Sequence, residues 1–128
     1  MLFCVFPPMK MIRMILLAAV LGSCTKSDTT APAIQLESPS DNENFPGGQM
    51  VRISAHITDN ESIHMVHVTV MDETTNGHLL HLEEHTDGRS YQLNQQFMAE
   101  AGSIYSIEIS AEDHDQNAST KKIRVTGL

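Results

Sequence analysis

Carboxylates and imidazoles are the side chains with most chemistry to offer in this chain of 128 residues, which carries 16 Asp and Glu and 7 His against 8 Lys and Arg. They gather in short polar runs: Asp59-Asn60-Glu61-Ser62, Asp87-Gly88 and Asp113-His114-Asp115-Gln116-Asn117, with His64 and His85 close by in sequence. Carboxylates that converge repel one another, and a cation relieves that repulsion. Oxygen donors in flexible geometry suit Ca²⁺, and added imidazoles suit Zn²⁺ or Cu²⁺. The candidate metal ligands are Asp59, Glu61, Asp113, His114 and Asp115. The same residues are also ordinary turn formers, because Asp and Asn side chains bond nearby backbone. EF-hand spacing is absent, so no cofactor is certain, and Ca²⁺ and Zn²⁺ are the ions the pattern would take.

A second constellation is His81-Leu82-Glu83-Glu84-His85. It matches the H-x-x-E-H string of inverted zinc proteases, which needs a helix to bring the two His to one face. On a strand, His81, Glu83 and His85 would share a face instead, as a weak metal edge or a plain polar surface. Met65, His67, Thr69 and Met71 form a similar stripe. It could ligate copper, or cover a neighbouring strand. Nucleophilic catalysis has no support, since G-x-S-x-G and phosphate-binding glycine loops are both missing. The chain is read as a non-enzyme. Phe45 is either an exposed contact for a glycan or a plug over the core. A net charge of −8 with no basic cluster excludes nucleic acid as a partner.

The elements that must position these residues are strands. From Ala33 onward apolar residues alternate with polar ones. Ile34 and Leu36 make one strand, Val51 to Ile57 a second, and Val66 to Val70 a third. Tyr91 to Phe97, Tyr105 to Ala111 and Ile123-Val125 follow the same rule. Residues 78–85 are ambiguous between strand and two helical turns. Asn76-Gly77 is a hairpin signal, because both residues tolerate positive φ. Asp59–Ser62 and Asp87-Gly88 read as further loops. The fold class is all-β: an antiparallel β-sandwich of about seven strands over residues 33–128.

Several residues resemble bacterial Ig-like and cadherin-like domains: Ser38-Pro39 with Phe45-Pro46-Gly47, Asp59-Asn60 with Ile63 and Val66, and the alternating run from Tyr105 to Asp113. The resemblance implies an Ig-like sandwich with Tyr105 at its tyrosine corner. It also implies that the loops holding Asp59, Asp87 and Asp113 meet at one end, where the first strand begins. The Cys pair and core Trp of antibody domains are missing, so no immunoglobulin receptor role follows.

Ahead of the domain lies a basic start at Lys10 and Arg13, an apolar run from Met14 to Leu21, and Leu21-Gly22-Ser23-Cys24. The run is too short to span a bilayer. It is read as a lipoprotein signal peptide, residues 1–23. The last four residues resemble the bacterial lipobox, which implies cleavage before Cys24 and lipidation with diacylglycerol and palmitate on that residue. Starts at Met1, Met9 or Met11 give the same mature chain. Residues 24–32 read as the lipidated Cys and a flexible tether, in which Asp28-Thr29-Thr30 also resembles an O-glycosylation acceptor. Without Lys10 and Arg13 the mature chain keeps 6 basic and 16 acidic residues, a net charge of −10. Cys24 is then its only thiol, which excludes an internal disulfide.

Lipobox and sandwich together resemble short bacterial lipoproteins of a domain-of-unknown-function family. The expected role is a non-enzymatic binding or interaction module of the bacterial cell envelope. It is held at the outer membrane by its lipid, on the periplasmic or surface face, with an envelope protein or glycan as partner. A divalent-metal-binding envelope protein is the alternative, and a small zinc hydrolase is a remote third.

Overall fold

The structure, a computed structural model, describes residues 26–128. The expected signal peptide, residues 1–23, and the expected lipidation site at Cys24 lie outside the described residues. Six strands form: β1 (Ala33–Ser38), β2 (Glu43–Phe45), β3 (Met50–Asp72), β4 (Gly77–Met98), β5 (Ile104–Asp113) and β6 (Ala118–Gly127). No helix is present among the described residues. The protein is all-β.

The two long strands organise everything else. Strands β3 and β4 pair antiparallel along nearly their whole lengths, from Met50↔Met98 to Asp72↔Gly77. The first half of β3 also carries β1, from Ser38↔Ser54 to Ala33↔Thr58. The second half instead carries β5, from Ile63↔Asp113 to Asp72↔Tyr105. Strand β6 continues outward from β5, and the short β2 joins β6 in parallel. One sheet therefore curls into two halves that share a single core. Strand β1 lies close to β5 and β6 although it shares no ladder with either.

The curl is written in the alternation of β3. Val51, Ile53, Ala55 and Ile57 are buried in its first half, and Val66, Val68 and Val70 in its second. The buried parity switches from odd to even. With a side-chain period of two, such a switch requires an irregular residue between the halves. Register shifts occur here, between Thr58 and Ile63 and again between Ile63 and Met65. The polar run Asp59–Ser62 falls between the two ladders as a bend within one strand, where a loop between two strands was expected. Asp87-Gly88 behaves likewise: Gly88 pairs with Ile63, and β4 runs on. Hence six continuous strands stand where about seven were expected. Residues 78–85 are strand, because Met65–Met71 supplies them with ladder partners.

The far end is closed by tight contacts. The β3–β4 hairpin turns at Asn76-Gly77.

 Asn42 takes a positive φ of 61°. Asn42 lies where the chain crosses from β1 to β2, and its N–H donates to the Arg124 carbonyl (2.7 Å). Asn76 itself lies at 57°, in the left-handed region that an Asn-Gly hairpin turn uses. Asp72, nearly buried, accepts hydrogen bonds from the Thr74 and Thr75 amides and the Ser103 hydroxyl. Burial alone would raise its pKa, but these donors outweigh burial and hold the carboxyl below its ordinary value. Tyr105 is buried edge-on against Phe97, and its hydroxyl accepts the Glu100 N–H at 2.8 Å. Phe45 is half-buried against the core.

Candidate cation site

Four pieces of chain meet at the opposite end: the segment before β1, the bends of β3 and β4, and the β5–β6 loop. The ladder dictates this, since Ile63 pairs with both Gly88 and Asp113. Asp113 is buried, with 2% of its surface exposed, and it organises the loop. Its Oδ1 accepts the amides of Asp115 and Asn117, both at 2.8 Å, and its Oδ2 accepts the Asn117 side-chain amide at 2.7 Å. Gln116 takes a positive φ of 67° to close the turn.

Asp28 reaches the same place from the segment before β1. Its N–H donates to Asp115 Oδ2 (2.8 Å), and its carbonyl accepts from the Asn117 side chain (2.9 Å). Its Oδ1 accepts the Thr30 amide at 3.0 Å. That amide first, and the Asn60 side chain second, lower the pKa of the carboxyl. Asp59 turns the bend of β3, its Oδ2 accepting the Glu61 amide at 3.0 Å.

One oxygen on each of these two carboxylates is left over. Asp28 Oδ2 and Asp59 Oδ1 are buried without a hydrogen bond of normal geometry. Buried polar atoms rarely stay unpaired, because they forfeit water and receive nothing in return. Asp28, Asp59 and Asp113 each place an oxygen within 4.8 Å of the others, as do Asp28, Glu61 and Asp115. Two oxygens on one Ca²⁺ at about 2.4 Å can be separated by up to about 4.8 Å. The two groups share Asp28, and a hollow of about 40 Å³ lies between Asp28, Glu61, Ser62, Asp113 and Asp115. The arrangement can hold a hard cation with carboxylate oxygens.

The expected ligand set is thereby divided. Asp59 and Asp113 come together, and so do Glu61 and Asp115. His114 also borders the hollow, but its Nε2 lies 3.2 Å from Asp87 Oδ1 and its ring sits 4.5 Å from that of His64. Asp28 was absent from the expected set because it lies in a stretch without periodicity. The only local signal is Asp-x-Thr just before a strand that starts at the acidic end.

The other histidines are dispersed. His81 and His85 lie on strand β4, so the helix required by H-x-x-E-H is not formed. His81 Nδ1 lies 3.4 Å from Thr69 Oγ1, and His67 lies 3.7 Å from Glu83. Met65, His67, Thr69 and Met71 are half-buried and pair side by side with His85, Glu83, His81 and His78 of β4. A wider polar trough of about 570 Å³ runs over Ser38, Arg52, Ser54, Asn94 and Gln96.

No family model matches the chain. No curated protein matches it either. Among solved structures it is similar to a beta-glucosidase from Listeria innocua in complex with gluconolactone, at a TM-score of 0.43 and 8% identity over 76% of this chain. The same enzyme in complex with glucose gives a TM-score of 0.42 and 9% identity. The chain spans 16% of the length of each.

Proposed function

We propose that this protein is a lipid-anchored, Ig-like module of the bacterial cell envelope whose tether end binds a Ca²⁺-class divalent cation. It works by binding rather than by catalysis. The observation that carries the reading is the pair of buried oxygens without a hydrogen bond of normal geometry, Asp28 Oδ2 and Asp59 Oδ1, on two carboxylates that come within ligand distance of each other and of Asp113. A cation supplies what both oxygens lack and cancels the repulsion among the three carboxylates. The all-oxygen donor set favours Ca²⁺ over softer metals.

Asp28 is four residues from Cys24 in sequence. A cation shared by Asp28, Asp59 and Asp113 fastens the tether to the bends of the sheet. It thereby sets how the domain stands on its lipid anchor, and so which surface reaches an envelope partner. Without the cation, Asp28 is held to the domain by hydrogen bonds, among them those to Asp115 and Asn117.

The test uses Thr25–Leu128, which contains all six strands and the whole core, stripped with chelator. Thermal unfolding is followed as Ca²⁺ is added. Ligand at 100 times its Kd stabilises by about 2.7 kcal/mol, roughly 10–20 °C for a domain of this size. A saturable shift with Ca²⁺ supports the reading, and no shift at millimolar Ca²⁺ refutes it.

A further inference from the structure

Beside the carboxylates lies a nitrogen-rich group. His64 comes from the irregular stretch of β3, Asp87 from the bend of β4, and His114 from the β5–β6 loop. Each offers one ligand atom, and the three atoms lie within 4.8 Å of one another. His114 Nε2 is already aimed at Asp87 Oδ1, 3.2 Å away. The His64 ring is tilted against His114 and meets the edge of His85, with centroids 5.3 Å apart.

We infer that His64, Asp87 and His114 form a second metal site, selective for an imidazole-preferring transition metal of the Zn²⁺ type. It is distinct from the carboxylate site and does not rest on it. Two imidazoles and one carboxylate are a common zinc donor set, with the remaining position open to water. The Asp113-His114-Asp115 run divides its donors: two carboxylates serve the oxygen cluster, and the imidazole between them serves the nitrogen cluster. Sequence-distant elements converge on the site, and the β3–β4 and β3–β5 ladders hold two of its three ligands close to fixed backbone.

Zn²⁺ bonds are shorter than those of Ca²⁺, at about 2.0–2.1 Å. The three side chains must therefore draw together slightly. Asp87 and His114 are exposed enough to rotate, with side-chain exposures of 88% and 53%. Zn²⁺ would be held by His114 Nε2 in its unprotonated form, with Asp87 Oδ1 as the neighbouring ligand. The neutral imidazole then carries its single proton on Nδ1.

The experiment titrates Zn²⁺ into chelator-stripped Thr25–Leu128 held in excess Ca²⁺, with binding read by calorimetry. Co²⁺ is then substituted and its ligand-field absorption recorded. One equivalent of Zn²⁺ should bind despite the Ca²⁺. His64→Gln and His114→Gln should each weaken Zn²⁺ at least tenfold, whereas His78→Gln, at the other end of β4, should change it less than twofold. Asp59→Asn should weaken Ca²⁺ and leave Zn²⁺ in place. The inference is overturned if His78→Gln weakens Zn²⁺ as much as His64→Gln does. It is equally overturned if excess Ca²⁺ prevents Zn²⁺ binding, which would put the zinc on the carboxylates. Zn²⁺ binding by the parent protein without any Ca²⁺ binding would count against the carboxylate site alone. Circular dichroism on each variant separates lost ligands from lost fold.

Discussion

Replacing Asp59 by Asn should reverse the sign of its effect with and without cation. In the cation-free protein, Asp59 Oδ1 and Asp28 Oδ2 are both buried without a hydrogen bond of normal geometry, and the two carboxylates come within ligand distance of each other. An Asn side chain keeps the acceptor for the Glu61 amide. It also turns the orphaned oxygen into an N–H donor facing Asp28. One negative charge leaves the cluster, and one unsatisfied acceptor gains a partner. A net hydrogen bond contributes about 1 kcal/mol, so cation-free Asp59→Asn should melt roughly 4–8 °C above the parent. With Ca²⁺ the order inverts, because a charged ligand is gone. If the affinity falls about 100-fold, a Ca²⁺ level that stabilises the parent by about 2.7 kcal/mol stabilises the variant by only about 0.4 kcal/mol. Melting curves of both proteins, in chelator and in Ca²⁺, give all four values. A variant that melts below the parent in chelator, or that keeps the full Ca²⁺ shift, would refute the reasoning.

At the far end, Gly127→Ala should cost about 3 kcal/mol or more, because its Cβ would overlap the Glu100 carbonyl oxygen and lie 2.8 Å from the carbonyl carbon. The backbone cannot easily yield, since the Gly127 N–H is bonded to Ser103 and its carbonyl to Gly102; urea unfolding checks this. The Asp72 carboxyl is held below its unfolded value, so its stabilisation is present above that unfolded pKa and is lost as pH falls through the folded pKa. Acid unfolding of Asp72→Asn should accordingly be less steep over that interval than unfolding of the parent. Tyr91, pushed up to about 12 by burial and then by its hydrogen bond to Glu84, should ionise well above an ordinary tyrosine in an ultraviolet titration, and Glu84→Gln should move it part of the way back.

Period-two alternation made the strands legible, and Asn76-Gly77 marked the hairpin. The bends were harder. Asp59–Ser62 and Asp87-Gly88 have the composition of reversing loops. A bulged strand that crosses between two halves of a curled sheet uses the same residues, because both situations need an interrupted ladder. The distinguishing signal was the parity switch from Ile57 to Val66, which becomes decisive only once the partners of both halves are known. Residues 78–85 carry no strong local preference, and pairing with β3 makes them strand.

The acidic end was legible as a place, though not as a set of ligands. Asp59 and Asp113 were readable because loops at one end of a sandwich converge. Asp28 was not, since its contact with Asp115 spans 87 residues and its segment has no pattern. His114 illustrates a different limit. Neighbours in a tight loop point in different directions, so adjacency to Asp113 and Asp115 did not put its imidazole among their ligands.

The central claim is that one cation joins the tether to the domain. Residue-resolved NMR of chelator-stripped Thr25–Leu128 during a Ca²⁺ titration tests it most directly. The amides of Asp28, Thr30, Glu61 and Asp115 should move together along one saturable curve, while those of Ser103 and Gly127 at the far end stay still. Amides that do not move up to millimolar Ca²⁺, or movement in the loops that leaves Asp28 and Thr30 untouched, would contradict it.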